Sequence, residues 1–188
     1  MPKINFTPDK QVIGESKGLD LSSAPIPTRR YAAELCNIRY VNGEAKLIFA
    51  QSDLLGESID SAVQIRMNPI SVLQFSQSLQ MIQNPSVEQI LDALNVDAQE
   101  LSVIGSSPSQ IANMFSNIVS CAIAGYDTCL DFYNATPFSM KKSEGKDELE
   151  IEPVVRIEMR TTMFVALMRE LFVIEGEIMK TFEEVKNA

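Results

Sequence analysis

Twenty-five carboxylates, three cysteines and no histidine are what this 188-residue chain offers to chemistry. Without imidazole there is no histidine-activated serine or cysteine, and the commonest general base and metal ligand is missing. Carboxylates and lysines can still move protons, so a small carboxylate- or cysteine-dependent enzyme stands as one alternative reading. No phosphate-cradling glycine run, dinucleotide fingerprint or calcium loop occurs in the sequence. The expectation is therefore a protein that is not an enzyme, with no catalytic residue, cofactor or metal. Cys36 and Cys121 alternate with apolar residues and are expected inside as small hydrophobes. Cys129 falls on the opposite strand face and is the better candidate for a reactive thiol, although no cation adjoins it in sequence.

One acidic pattern is regular. Glu148, Glu150 and Glu152 alternate with Leu149 and Ile151, which on a strand places the three carboxylates on one face. A row of this kind is either a solvated face or a docking edge for a partner. The three glutamates are accordingly the candidate partner-binding residues. The formal charge is −9. It is uneven: residues 1–94 carry 8 basic and 10 acidic residues, and residues 95–188 carry 8 and 15. This balance disfavours direct nucleic-acid binding through the phosphate backbone. It favours solubility, or an acidic surface that meets a basic protein.

The elements that must position these residues are legible as a repeat. Asn42-Gly43 between alternating apolar residues predicts a two-residue type I′ hairpin. Folding there sets Tyr40 opposite Ala45, Ile38 opposite Leu47 and Cys36 opposite Phe49 on one face, with Arg39 and Lys46 together on the other. Val63, Ile65 and Met67 alternate along a third strand. Asn68-Pro69 then opens a helix whose stripe is Val72, Phe75, Leu79 and Ile82. Shifted by 83 positions the hairpin falls on Val119, Cys121 and Ile123 facing Phe132, Leu130 and Thr128. The turn there is Gly125-Tyr126, which suits type II′. Shifted by 92, the third strand falls on Val155, Ile157 and Met159. Thr161 or Thr162 then caps a helix carrying Phe164, Leu167, Met168, Leu171, Glu175, Ile178, Phe182 and Val185. The extra residues lie within 134–152, read as a surface loop. Pro153 predicts a break in the preceding strand or an edge position.

The fold expected is α+β: two repeated β-hairpin–strand–helix units with antiparallel sheet, helices packed on one face, and pseudo-twofold symmetry. Residues 1–30 read as an N-terminal arm, 31–84 as the first unit, 85–117 as a helical connector and 118–188 as the second unit. Two capping boxes, at Ser86 and Ser107, predict connector helices through Leu94 and about Asn117. Met159, Met163, Met168 and Met179 read as core filling, with a Met-rich groove as the alternative.

The stretch Val63-Gln64-Ile65-Arg66-Met67-Asn68-Pro69, continuing to Leu79, resembles a family of small uncharacterised prokaryotic proteins. In that family a strand pair is followed by a V-x-V-x-M-[ST]-P strand-to-helix junction. The second copy, Val155 to Met159 continuing to Leu171, lacks the proline. The resemblance implies a fold and brings no activity with it. If single-unit relatives dimerise, this chain is a fused pseudo-dimer.

The function expected is that of a non-catalytic interaction or assembly protein, an oligomeric adaptor or chaperone-like module that binds a protein partner or itself. An acidic decoy of a nucleic-acid-binding protein is the second reading. No run of ~18 apolar residues is present, so no membrane partner is expected. The odd cysteine count without CxxC spacing, and an N-terminus lacking an apolar signal core, point to a cytoplasmic, reducing location.

Overall fold

A computed structural model describes residues 2–8, 17–53, 58–82, 89, 92, 108, 110–144 and 148–186. Chain order is β1 (Lys3–Pro8), β2 (Lys17–Asp20), β3 (Arg30–Ala32), β4 (Leu35–Val41), β5 (Glu44–Ser52), β6 (Ile59–Met67) and α1 (Pro69–Ile82). Then follow β7 (Gln110–Phe115), β8 (Ile118–Ala124), β9 (Asp127–Asn134), α2 (Pro137–Ser143), β10 (Glu148–Glu150), β11 (Glu152–Arg160) and α3 (Thr161–Lys186). The fold is α+β.

Strands β4-β5-β6-β7 form a first sheet and β3-β11-β9-β8 a second, with a small sheet β10-β1-β2 beside them. Both hairpins take the register expected from their turns. Tyr40 pairs with Ala45, Ile38 with Leu47 and Cys36 with Phe49. Val119 pairs with Phe132, Cys121 with Leu130 and Ile123 with Thr128. Asn42 and Gly43 sit at φ 55° and 74°, and Gly125 at φ 62°, the left-handed values these two turns require.

Neither large sheet is wholly antiparallel, contrary to expectation. Strand β7 runs parallel to β6, and β3 parallel to β11. Residues 110–115 are a strand, not the helix that Ser107-Pro108-Ser109-Gln110 suggested. A local capping pattern there yields to pairing with the free edge of β6. The helix expected from Ser86 lies largely outside the described residues. Residues 134–152 hold α2, capped by the Thr136 hydroxyl, and β10 rather than loop alone. Pro153 does mark an irregularity, a register shift between Pro153 and Val155, but β11 is a central strand.

The inward faces of the two large sheets and the apolar sides of α1 and α3 share one core. Phe49 of the first sheet and Phe132 of the second meet with ring centroids 6.0 Å apart, within the range where aromatic pairs attract. Helix α1 begins where Asn68 Oδ1 accepts from the Ser71 backbone N–H at 2.9 Å, and it buries Val72, Phe75 and Leu79. Helix α3 buries every residue from Met163 to Met168, then Leu171, Ile174 and Ile178. Its stripe ends there, since Phe182 is exposed. Glu175, the polar interruption in that stripe, accepts a hydrogen bond from the buried Ser76 of α1.

Candidate interaction surfaces

The glutamate row is placed at the junction of the small and second sheets. Glu148 receives Lys3 Nζ at 2.6 Å and Glu150 receives Lys142 Nζ at 2.7 Å. The Lys142 hydrogen bond holds the Glu150 carboxyl below the usual carboxylate range. Strand β1 pairs with β10, so the chain's own N-terminal strand takes one edge of this row. Glu152, at the start of β11, is exposed. Two of the three candidate residues thus spend their charge within the molecule.

Cys36 falls inside as alternation predicted, while Cys121 is half-buried on the same face and Cys129 half-buried on the other. Cys36 is buried, and burial pushes its thiol up to about 12; Cys121 is likewise pushed up to about 12. Cys129 lines an open hollow of about 570 Å³ with Glu34, Asp127, Glu158 and Arg160. Desolvation raises its pKa, so the thiol stays protonated. The carboxylates around it are engaged. Glu34 accepts from the Ser52 hydroxyl at 2.6 Å, Asp127 pairs with Arg160 at 3.1 Å and Glu158 with Arg30 at 3.7 Å. No hydrogen bond among the described residues joins a carboxylate to the sulfur. Among the described residues no three His, Cys, Asp or Glu side chains gather as a metal site.

Of the four methionines weighed in the sequence, Met159, Met163 and Met168 are buried and Met179 is exposed. A groove of about 660 Å³ lies between the start of α1, α2 and the end of α3. Ile70, Met140 and Phe182 line it and are exposed.

The outward faces of the two large sheets differ in charge. On the first sheet, cross-strand register sets Arg39, Lys46, Arg66 and Phe115 in one row across β4, β5, β6 and β7. The neighbouring row is Asn37, Ile48, Gln64 and Asn113, and the next is Leu35, Ala50, Ala62 and Ile111. Arg66 holds Glu44 at 2.8 Å, which keeps that carboxyl below its usual range. On the second sheet's outward face each arginine has a carboxylate: Arg156 with Asp131, Arg30 with Glu158, Arg160 with Asp127. The Arg39–Lys46 pairing was legible in the sequence. Its extension to Phe115 was not, because 110–115 read as helix.

No protein-family model, curated protein or solved structure matches the chain.

Proposed function

We propose that this chain is a non-catalytic interaction and assembly protein, built from two copies of one unit that exchange their leading strands. The observation that carries this reading is a pair of reciprocal hydrogen bonds. The Ala33 N–H donates to the Glu158 carbonyl at 2.8 Å, and the Ser116 N–H donates to the Arg66 carbonyl at 3.1 Å. Ala33 and Ser116 differ by 83, and Arg66 and Glu158 by 92. These are the offsets at which the hairpins and third strands match in sequence. The short strand ahead of each hairpin therefore completes the sheet of the other unit.

Further bonds repeat at the same offsets. Glu34 N–H donates to Ala50 O, and Asn117 N–H to Tyr133 O. The Glu34 carboxylate accepts from the Ser52 N–H, and the Asn117 side-chain oxygen from the Ala135 N–H. Tyr31 pairs with Ile157 as Met114 pairs with Ile65. Helix α1 packs on β8 and α3 on β4, each helix against the other unit's hairpin. A unit whose leading strand fits a neighbour's sheet is an assembly device, since strand addition supplies both affinity and register. On this reading the single-unit family the sequence resembles assembles as exchanged pairs, and this chain is a fused pair. We place it in a reducing, cytoplasmic setting, where its thiols stay free, with a protein partner or a second copy as its ligand. The decoy reading has less support, because Glu148 and Glu150 are neutralised internally.

The test is co-expression of residues 1–95 and 96–188 as separate chains. The expected outcome is a 1:1 complex by light scattering, with neither half folded as a monomer alone. Two halves that fold separately and ignore each other would overturn the exchange.

A further inference from the structure

We infer that the outward face of the first sheet binds single-stranded nucleic acid, with its basic row on the phosphates and Phe115 against a base. This inference stands on the face itself and does not depend on the duplication.

Arg39, Lys46 and Arg66 are consecutive across three paired strands. At about 4.8 Å per strand they form a short continuous basic track. Among the described residues neither Arg39 nor Lys46 has a carboxylate at salt-bridge distance, and Arg66 shares its charge with Glu44 alone. The second sheet's outward face is the internal control, because every arginine there is paired. A chain of net charge −9 thus keeps one strip in which two of three cations, Arg39 and Lys46, have no carboxylate at salt-bridge distance among the described residues, while Arg66 is paired with Glu44.

Phe115 ends that strip, in register with Arg66, and the residue is 44% exposed at the sheet edge. An exposed ring beside a basic track is the arrangement on which unpaired bases stack. The adjacent row carries the amides of Asn37, Gln64 and Asn113, with the half-buried Ile48 between the first two. Gln64 donates to Asn113 at 2.7 Å and Arg39 to Asn37 at 3.3 Å, leaving further amide donors and acceptors to face base edges. A carboxylate-rich peptide would use the cations but leave the ring and amides without a role. A duplex hides its base faces from the ring. The acidic balance of the whole chain argued against phosphate binding. Charges more than about 8 Å away are, however, screened at physiological salt, so the contact row decides the sign at this face.

The experiment is fluorescence anisotropy on the full chain between about 50 and 200 mM salt. The probes are labelled oligo-uridine and oligo-thymidine of about ten nucleotides, a duplex of equal length, and poly-glutamate. The oligonucleotides are expected to bind with a log–log salt slope of about −1.4, from the two unpaired cations at roughly 0.7 each. The double substitution Arg39→Gln/Lys46→Gln should weaken binding at least about tenfold and remove most of the slope. Phe115→Ala should weaken it at least about fivefold with the slope unchanged. Arg160→Gln, on the other sheet, should change nothing. Circular dichroism verifies that each variant is folded. Absence of oligonucleotide binding, or binding that survives the double substitution, overturns the inference. Poly-glutamate or duplex binding that matches the oligonucleotides, or indifference to Phe115→Ala, overturns the choice of a single strand as the occupant.

Discussion

Asp131 and Arg156 meet through two hydrogen bonds of 2.6 Å on a sheet face where their side chains are 13% and 18% exposed. Paired guanidinium–carboxylate geometry of this kind is the strong form of an ion pair. Removing one partner strands the other charge in a half-dry site. Asp131→Ala should therefore cost about 3 kcal/mol, the low end for a broken buried pair, in urea denaturation. A loss near zero would contradict it. The acidic limb of stability is set by other carboxylates. Glu34 is held below the ordinary glutamate value of 4.5 by the Ser52 hydroxyl and N–H, and Glu44 by Arg66. In the window below 4.5 the unfolded chain binds more protons than the folded one, so stability falls as pH falls. Melting temperature should drop below that pH, and Glu34→Gln should flatten part of the drop. At the basic end the Cys36 thiol stays protonated in the fold up to about 12. Its contribution is fully present below the unfolded thiol pKa and is lost above it. Cys36 should resist a thiol reagent near neutral pH until denaturant is added, and prompt modification located at Cys36 by peptide mass mapping of the folded protein would contradict its burial.

At the scale of elements, the two hairpin turns and the start of α1 were legible from local pattern, whereas the capping box at Ser107 misled and the helix capped by Thr136 was missed. Asn42-Gly43 fixes a turn because both residues must accept positive φ, and the register of six facing side chains follows from it. A Cβ at Gly43 would meet nothing within 4 Å. The cost of Gly43→Ala is thus backbone strain alone, about 1 kcal/mol by thermal melting; a neutral result would mean the turn relaxes. Asn68-Pro69 fixes a helix start for the same local reason. What sequence could not give was partnership at a distance. Gln110–Phe115 carries a helix-opening pattern just before it, yet becomes a strand because β6, far back in the chain, offers a free edge. Strand β3 is only 3 residues long and has no pattern of its own. The candidate surface suffered accordingly. Arg39 and Lys46 were visible as a pair, while Phe115 joins them only through β7. The glutamate row was visible, but Lys3 and Lys142, which neutralise it, come from β1 and α2.

For the whole molecule, one core spans both large sheets and both long helices, and each large sheet draws its parallel edge strand from the other half of the chain. Neither half can lose structure without opening the other's sheet. Urea unfolding should therefore be a single transition, coincident by tyrosine fluorescence and far-ultraviolet dichroism, and two separated transitions would contradict a shared core. Exchange of leading strands is the claim on which the assembly reading turns. It is tested most directly by cross-strand nuclear Overhauser contacts in the full chain. The account expects contacts from Ala32 and Ala33 to Glu158, and from Phe115 and Ser116 to Arg66. Contacts from Ala32 to Arg66 and from Phe115 to Glu158 would instead mean that each unit keeps its own strand.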